Sequence, residues 1–284
     1  MRAILAFVGA SYTLAIALSL VVGLTGGHES PLIGLGYVSM FLPAVSVLIV
    51  SSTMHEGLRV RWGRLPLEYL PLALFLIPGV LHAVMLPLMA GVRGGVQWQD
   101  WLTPRADGLY HTPASRGWGI VTSGGLAGHI VLNAVVGLVV VSLFALFEEV
   151  GWRGWLLPRL LDRIGARRAV VATAIIWAIW HVPFQLSGIQ HIDGVSPVKL
   201  ALTIPFGTAV AGLILGWLWL RTESIWLVAM AHGGLNAWGQ YAFKYIKDTL
   251  SPDADLAVLG AGFLALLAVS VVLIWSGFEA RTAV

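Results

Sequence analysis

Apolar runs long enough to cross a bilayer succeed one another along the chain, near residues 3–24, 32–52, 70–91, 126–147, 169–187, 198–220, 225–242 and 256–277. A spanning helix needs ~20 apolar residues. The pattern predicts an all-α integral membrane protein with about eight transmembrane helices. Composition agrees: 58% of residues are hydrophobic and 11% charged, where soluble domains carry roughly 25% charged residues. The first run, from Ala3 to about Leu24, is too long for a signal-peptide core and reads as a retained helix. The chain has no cysteine, so disulfides, thiolate metal sites and cysteine nucleophiles are excluded.

The runs divide the chain into residues 1–125, with three spans and a long outer loop; 126–242, with spans four to seven; and 243–284, an outer loop and the last span. An even number of spans puts both termini on one side. Placing them in the cytoplasm gathers Arg59, Arg61 and Arg64, then Arg153, Arg159, Arg163, Arg167 and Arg168, on the inner face, as the positive-inside bias requires. The expected location is the cell (cytoplasmic) membrane, crossed many times. That bias accounts for the net charge of +3 without any nucleic-acid partner. The outer loop, roughly 92–125, carries Trp98, Trp101 and Tyr110 among polar residues and reads as an interfacial cap. Trp62, Trp118, Trp217, Trp219, Trp226 and Trp275 read as belt anchors near span ends.

Against this apolar background stand two adjacent carboxylates, Glu148 and Glu149, at the end of the fourth run. A charge at bilayer depth costs ~2.5–3.5 kcal/mol even on lenient insertion scales, so it needs a partner or water. Helix formers after residue 147 predict that the fourth helix continues to about Leu161. Arg153 is then four residues beyond Glu149, the favourable order for an ion pair on one helical face. Glu148 points about 100° away around the helix. The spacing assigns Glu149 to Arg153 and leaves Glu148 free for chemistry. The alternative is an ion-pair cluster that only fixes helix packing, to which a second carboxylate adds cost without gain.

Two further polar groups interrupt apolar runs. In the fifth, Trp177 precedes His181 by four residues and can wall off its imidazole. In the seventh, His232 and Asn236 are four apart and share a helical face. Counted from the predicted cytoplasmic ends at 1.5 Å per residue, His181 lies ~18 Å, His232 ~12 Å and Glu148 ~20 Å deep. A shared level predicts one site buried between spans four, five and seven. His82, in the third span, reads as a structural histidine at similar depth.

These three elements, Glu148-Glu149…Arg153, Trp177…His181 and His232…Asn236, in this order, resemble the CPBP intramembrane protease family. That family includes the type II CAAX prenyl endopeptidases and bacterial proteins labelled Abi or bacteriocin-immunity proteins. The flanking Gly151-Trp152-Arg153-Gly154 and Trp180-His181-x-Pro183 fit as well. The resemblance covers roughly residues 140–240. Trp177 departs from it, since phenylalanine often stands there. The resemblance implies proteolysis within the membrane by an activated water, acting on a membrane-embedded or lipidated protein or peptide. Glu148 then activates a water that His181 also holds, His232 and Asn236 donate to the oxyanion, and Glu149 with Arg153 supports Glu148.

No cofactor is expected on this reading. A zinc site with Glu148, His181 and His232 as ligands is the close alternative, two histidines and a carboxylate with an open water position being a catalytic zinc set. The chain lacks His-Glu-x-x-His, and Asn236 suits an oxyanion better than zinc. A proton-coupled transporter could use the same groups, although no paired halves are found in the sequence. A non-catalytic immunity or scaffold protein with the same fold is the third reading.

Overall fold

In the computed structural model the described residues are 1–55, 58, 60–93, 103–104, 109–111, 121–192, 194–239 and 251–277. Of the residues expected in the interfacial cap, Trp98 and Trp101 lie outside them and Tyr110 within; the expected belt anchor Trp118 also lies outside. Helix α1 covers Arg2–Leu24. A 3-10 stretch, Ile33–Phe41, runs straight into α2, Leu42–Thr53. Helix α3 is Leu70–Arg93. A small antiparallel sheet follows, β1 (Thr103–Pro104), β2 (Leu109–His111) and β3 (Val121–Thr122), in that order. Thr103 pairs with His111, and Leu109 with Thr122. These are the strands among the described residues, in a loop expected to hold none. Then come α4 (Ser123–Glu149), a π-helical segment (Val150–Leu156), α5 (Leu157–Ile164), α6 (Ala166–Trp180) and the short α7 (Val182–Leu186). Helices α8 (Pro197–Thr222), α9 (Ile225–Trp238) and α10 (Pro252–Gly277) are the last of the described elements.

Among the described residues, seven helical runs are long and apolar enough to cross a membrane: Arg2–Leu24, Ile33–Thr53, Leu67–Met89, Ala134–Ile164, Ala166–Leu186, Pro197–Thr222 and Pro252–Trp275. The chain is therefore an all-α, multi-pass membrane protein. The eighth run predicted from sequence, 225–242, forms a helix of only 14 residues, about 21 Å long. It lies between its neighbours, packed on α4, α3 and α8, and both glycines that interrupt it serve that packing. A Cβ on Gly233 would meet Ser142 at 2.7 Å from its Cα and 2.8 Å from its backbone nitrogen. One on Gly234 would lie 3.2 Å from the Leu74 carbonyl oxygen of α3. Without side chains there, α9 sits against both helices at backbone distance. The Trp238 indole donates to the Ala134 carbonyl of α4 at 3.2 Å and ties its far end.

Helix α8 is the other central element, packed on α6, α10, α7 and α9. Gly216 allows its approach to α6: a Cβ there would fall 2.7 Å from Val170 Cγ1. This burial corrects the reading of Trp217 and Trp219 as belt anchors. They are 9% and 1% exposed, because α8 is buried from Ile214 through Trp219. Trp62, Trp226 and Trp275 are exposed, as a belt requires. Helix α1 is clasped to α6 by two polar bonds, Tyr12 Oη to the Ile176 carbonyl at 2.8 Å and Trp180 Nε1 to the Ser11 carbonyl at 3.1 Å.

Gly233→Ala forces α9 off α4 and should destabilise the protein by about 1–3 kcal/mol, the cost of overpacking a tight core. Gly137→Ala, on α4 with nothing within 4 Å of the added carbon, should be neutral or stabilise by up to about 1 kcal/mol. Thermal unfolding of both variants in one detergent checks the contrast.

Candidate active site

Two discontinuities in otherwise regular helices shape the site. After Glu149 the fourth spanning run switches to π-helical turns through Leu156 before α5 resumes. The sequence predicts continuation here but not the change of winding. Such turns are rare and concentrate at functional positions. Gly151 and Gly154 permit close neighbours along this segment: a Cβ would come within 3.0 Å of the Pro43 carbonyl carbon in the first case and 2.8 Å of Val60 Cγ1 in the second. The second break is at His181, between α6 and α7. Pro183 has no N–H to continue the helix, and the His181 N–H bonds three residues back, to Ala178 at 3.1 Å.

Glu149 and Arg153 are both fully buried. Arg153 Nη1 lies 2.9 Å from Glu149 Oε1 and 3.0 Å from Oε2, the pairing expected from their spacing. Arg153 Nη2 also donates to the Gly212 carbonyl of α8 at 3.3 Å, a partner that no sequence signal marks. From α9, His232 Nδ1 approaches Glu149 Oε1 at 2.9 Å. A carboxylate accepts and does not donate, so that nitrogen carries its proton.

Glu148 is 3% exposed and receives the Trp177 indole N–H on Oε2 at 2.8 Å. The sequence reading left it wholly free; in the structure one oxygen is engaged, and no hydrogen bond reaches the other among the described residues. His181 Nδ1 lies 2.9 Å from the Trp177 carbonyl oxygen. It too must be the protonated nitrogen, which leaves Nε2 as an acceptor in the neutral ring. The indole of Trp177 meets His181 edge-to-face, with centroids 5.4 Å apart, and His232 at 5.0 Å. Trp180 closes the other side of His181 at 5.0 Å.

Six of the seven residues singled out from sequence thus form one buried cluster on α4, the π-helical segment, α6 and α9. The seventh, Asn236, lies one turn beyond His232, half-buried, with no hydrogen bond to its amide among the described residues. His82 bonds back to the Pro78 carbonyl of its own helix at 2.6 Å, a structural role. A groove of about 550 Å³ lined by Leu48, Ile49, Ser51, Ser52 and Leu58 has none of the cluster residues in its wall.

The zinc alternative needs Glu148, His181 and His232 to converge on one point. Among the described residues no three His, Asp or Glu side chains form a group that could hold a metal ion. The donor set therefore does not fit zinc as it stands.

What fold and cluster define is a polytopic helical membrane protein with a carboxylate–histidine site enclosed among its spans. Residues 130–238, the stretch holding every cluster residue, match the family model described as type II CAAX prenyl endopeptidase Rce1-like. Over this stretch the chain is similar to the CPBP/CAAX protease family. A curated relative, CAAX prenyl protease 2 of Methanococcus maripaludis, is 26% identical over 139 residues, 48% of this chain and 48% of that protein. The chain thus spans about half the length of the curated relative it matches.

Glu149→Gln strands the Arg153 charge in a fully buried place. Breaking a buried pair by removing one partner costs about 3–5 kcal/mol. The variant should unfold at a markedly lower temperature, and replacing Arg153 by methionine in the same chain should restore part of the loss. Equal unfolding temperatures for wild type and Glu149→Gln would show that the pair carries no such weight.

Proposed function

We propose that this protein is an intramembrane endopeptidase. It hydrolyses a peptide bond of a membrane-associated protein or peptide with a water activated by Glu148. The observation that carries this reading is the unequal treatment of two adjacent carboxylates. Glu149 is committed to Arg153 and His232, while one oxygen of Glu148 has no hydrogen bond among the described residues. A purely structural ion-pair cluster gains nothing from that second buried carboxylate. The family match supports hydrolysis over the transporter and scaffold readings.

In the proposed reaction, Glu148 takes a proton from a water that also donates to His181 Nε2. The hydroxide adds to the scissile carbonyl carbon. The oxyanion of the tetrahedral intermediate accepts hydrogen bonds from His232 Nε2 and the Asn236 amide. Donation from His232 requires a proton on both ring nitrogens, and the Glu149 carboxylate on Nδ1 balances the imidazolium. Glu148 then returns its proton to the departing nitrogen as the C–N bond breaks. The substrate is membrane-embedded or lipidated, and the arginine distribution supports cytoplasmic termini.

Proteomics of membrane peptides from cells with and without the protein should reveal cleavage products, and reconstituted protein should release them from the identified substrate. Glu148→Gln should abolish turnover without lowering the unfolding temperature, and a strong chelator should leave turnover intact. Wild-type turnover in Glu148→Gln, or chelator-sensitive turnover restored by zinc, would overturn the mechanism.

Asn236→Ala should lose ~10²–10³-fold in kcat, the range for one oxyanion donor, with a far smaller rise in KM. Asn236→Asp, which faces the oxyanion with a negative charge, should be at least as damaging. Near-normal kcat in Asn236→Asp would remove Asn236 from the oxyanion site.

A further inference from the structure

We propose that Trp177 is a positioning residue that sets both water-binding groups at once: its indole N–H fixes Glu148 and its backbone carbonyl fixes His181. The inference rests on the hydrolytic reading above and assigns Trp177 a task beyond walling the pocket. The indole N–H donates to Glu148 Oε2 at 2.8 Å, and the carbonyl accepts the His181 Nδ1 proton at 2.9 Å. One residue therefore decides which carboxylate oxygen remains for water and which imidazole nitrogen faces it. A carboxylate with neither oxygen held could turn about its last bond and offer either one.

The indole is itself held. The Arg153 guanidinium lies 4.5 Å from its ring centroid, and both histidine rings meet it edge-to-face. On the α8 side, Gly212 makes room. A Cβ there would fall 3.2 Å from Trp177 Cε3 and 2.9 Å from the Ala174 Cβ. The same glycine gives its carbonyl to Arg153. Phenylalanine at position 177 would keep the apolar wall and the carbonyl but would have no N–H to give. Trp177 is 1% exposed, so no bulk water stands by to replace that donor.

The test is Trp177→Phe measured beside wild type and Glu148→Gln on one membrane substrate. Loss of a hydrogen bond to a charged group predicts a roughly 10- to 100-fold fall in kcat. KM should stay within about twofold, because the bond orients the water and not the substrate, and the unfolding temperature should hold. A kcat within about twofold of wild type, or a fall in kcat matched by a lower unfolding temperature, overturns the proposal. A second measurement is independent of turnover. The indole N–H resonance missing from Trp177→Phe should move upfield in Glu148→Gln, since a neutral acceptor makes a weaker bond than a carboxylate; an unmoved resonance overturns the contact. Glu148→Gln inactive with Trp177→Phe fully active defeats this inference alone. Cleavage that survives Glu148→Gln defeats the hydrolytic reading, and the positioning role falls with it.

Discussion

The rest of the site depends on the Glu149 carboxylate. It is fully buried, receives Arg153 on both oxygens and His232 on one, and so fastens α4, the π-helical segment and α9 at one point. Through the second guanidinium nitrogen the same knot reaches α8. Charge count gives the cluster a further property. Two carboxylates against one guanidinium leave an excess negative charge, which low-dielectric surroundings penalise heavily. One additional proton, on Glu148 or on either histidine, makes the set neutral. Moving a proton among these groups redistributes charge without importing any, as the proposed proton transfers require.

The backbone is shaped for that knot at some cost to regularity. A 27-residue α-helix gives way to π turns immediately after Glu149. The next spanning run breaks at His181, and α9 carries two adjacent glycines directly after His232. Each of these three stands beside a candidate site residue, whereas α1 and α10 run regularly with none.

Much of this was legible in the sequence. Length and apolarity identified the seven runs able to span and added an eighth, 225–242, that forms a shorter helix; four-residue spacing identified the Glu149–Arg153 pair and the Trp177–His181 contact, because both follow from helix geometry alone. Contacts between distant segments were not. Nothing in the order of residues links Trp177 to Glu148, or Gly212 to Arg153, since those bonds depend on how α6 and α8 lean on the fourth run. The burial of Trp217 and Trp219 was missed for the same reason: a tryptophan near a helix end looks alike whether lipid or protein covers it. The glycines of α9 looked like weaknesses in a span and are contact surfaces, a distinction that only the neighbours' positions reveal.

The shortness of α9 has a consequence for the bilayer itself. Its start is marked by the Arg61–Glu223 ion pair, both members exposed, and 14 residues carry it about 21 Å inward through a hydrocarbon layer about 30 Å thick. A helix of that length is shorter than the layer. The last carbonyls of any helix lack partners within it, and lipid tails supply none. Protein backbone or penetrating water must meet them at that depth. Asn236 sits in this final turn, so the carbonyls that need such partners lie beside the candidate site and within reach of the same water.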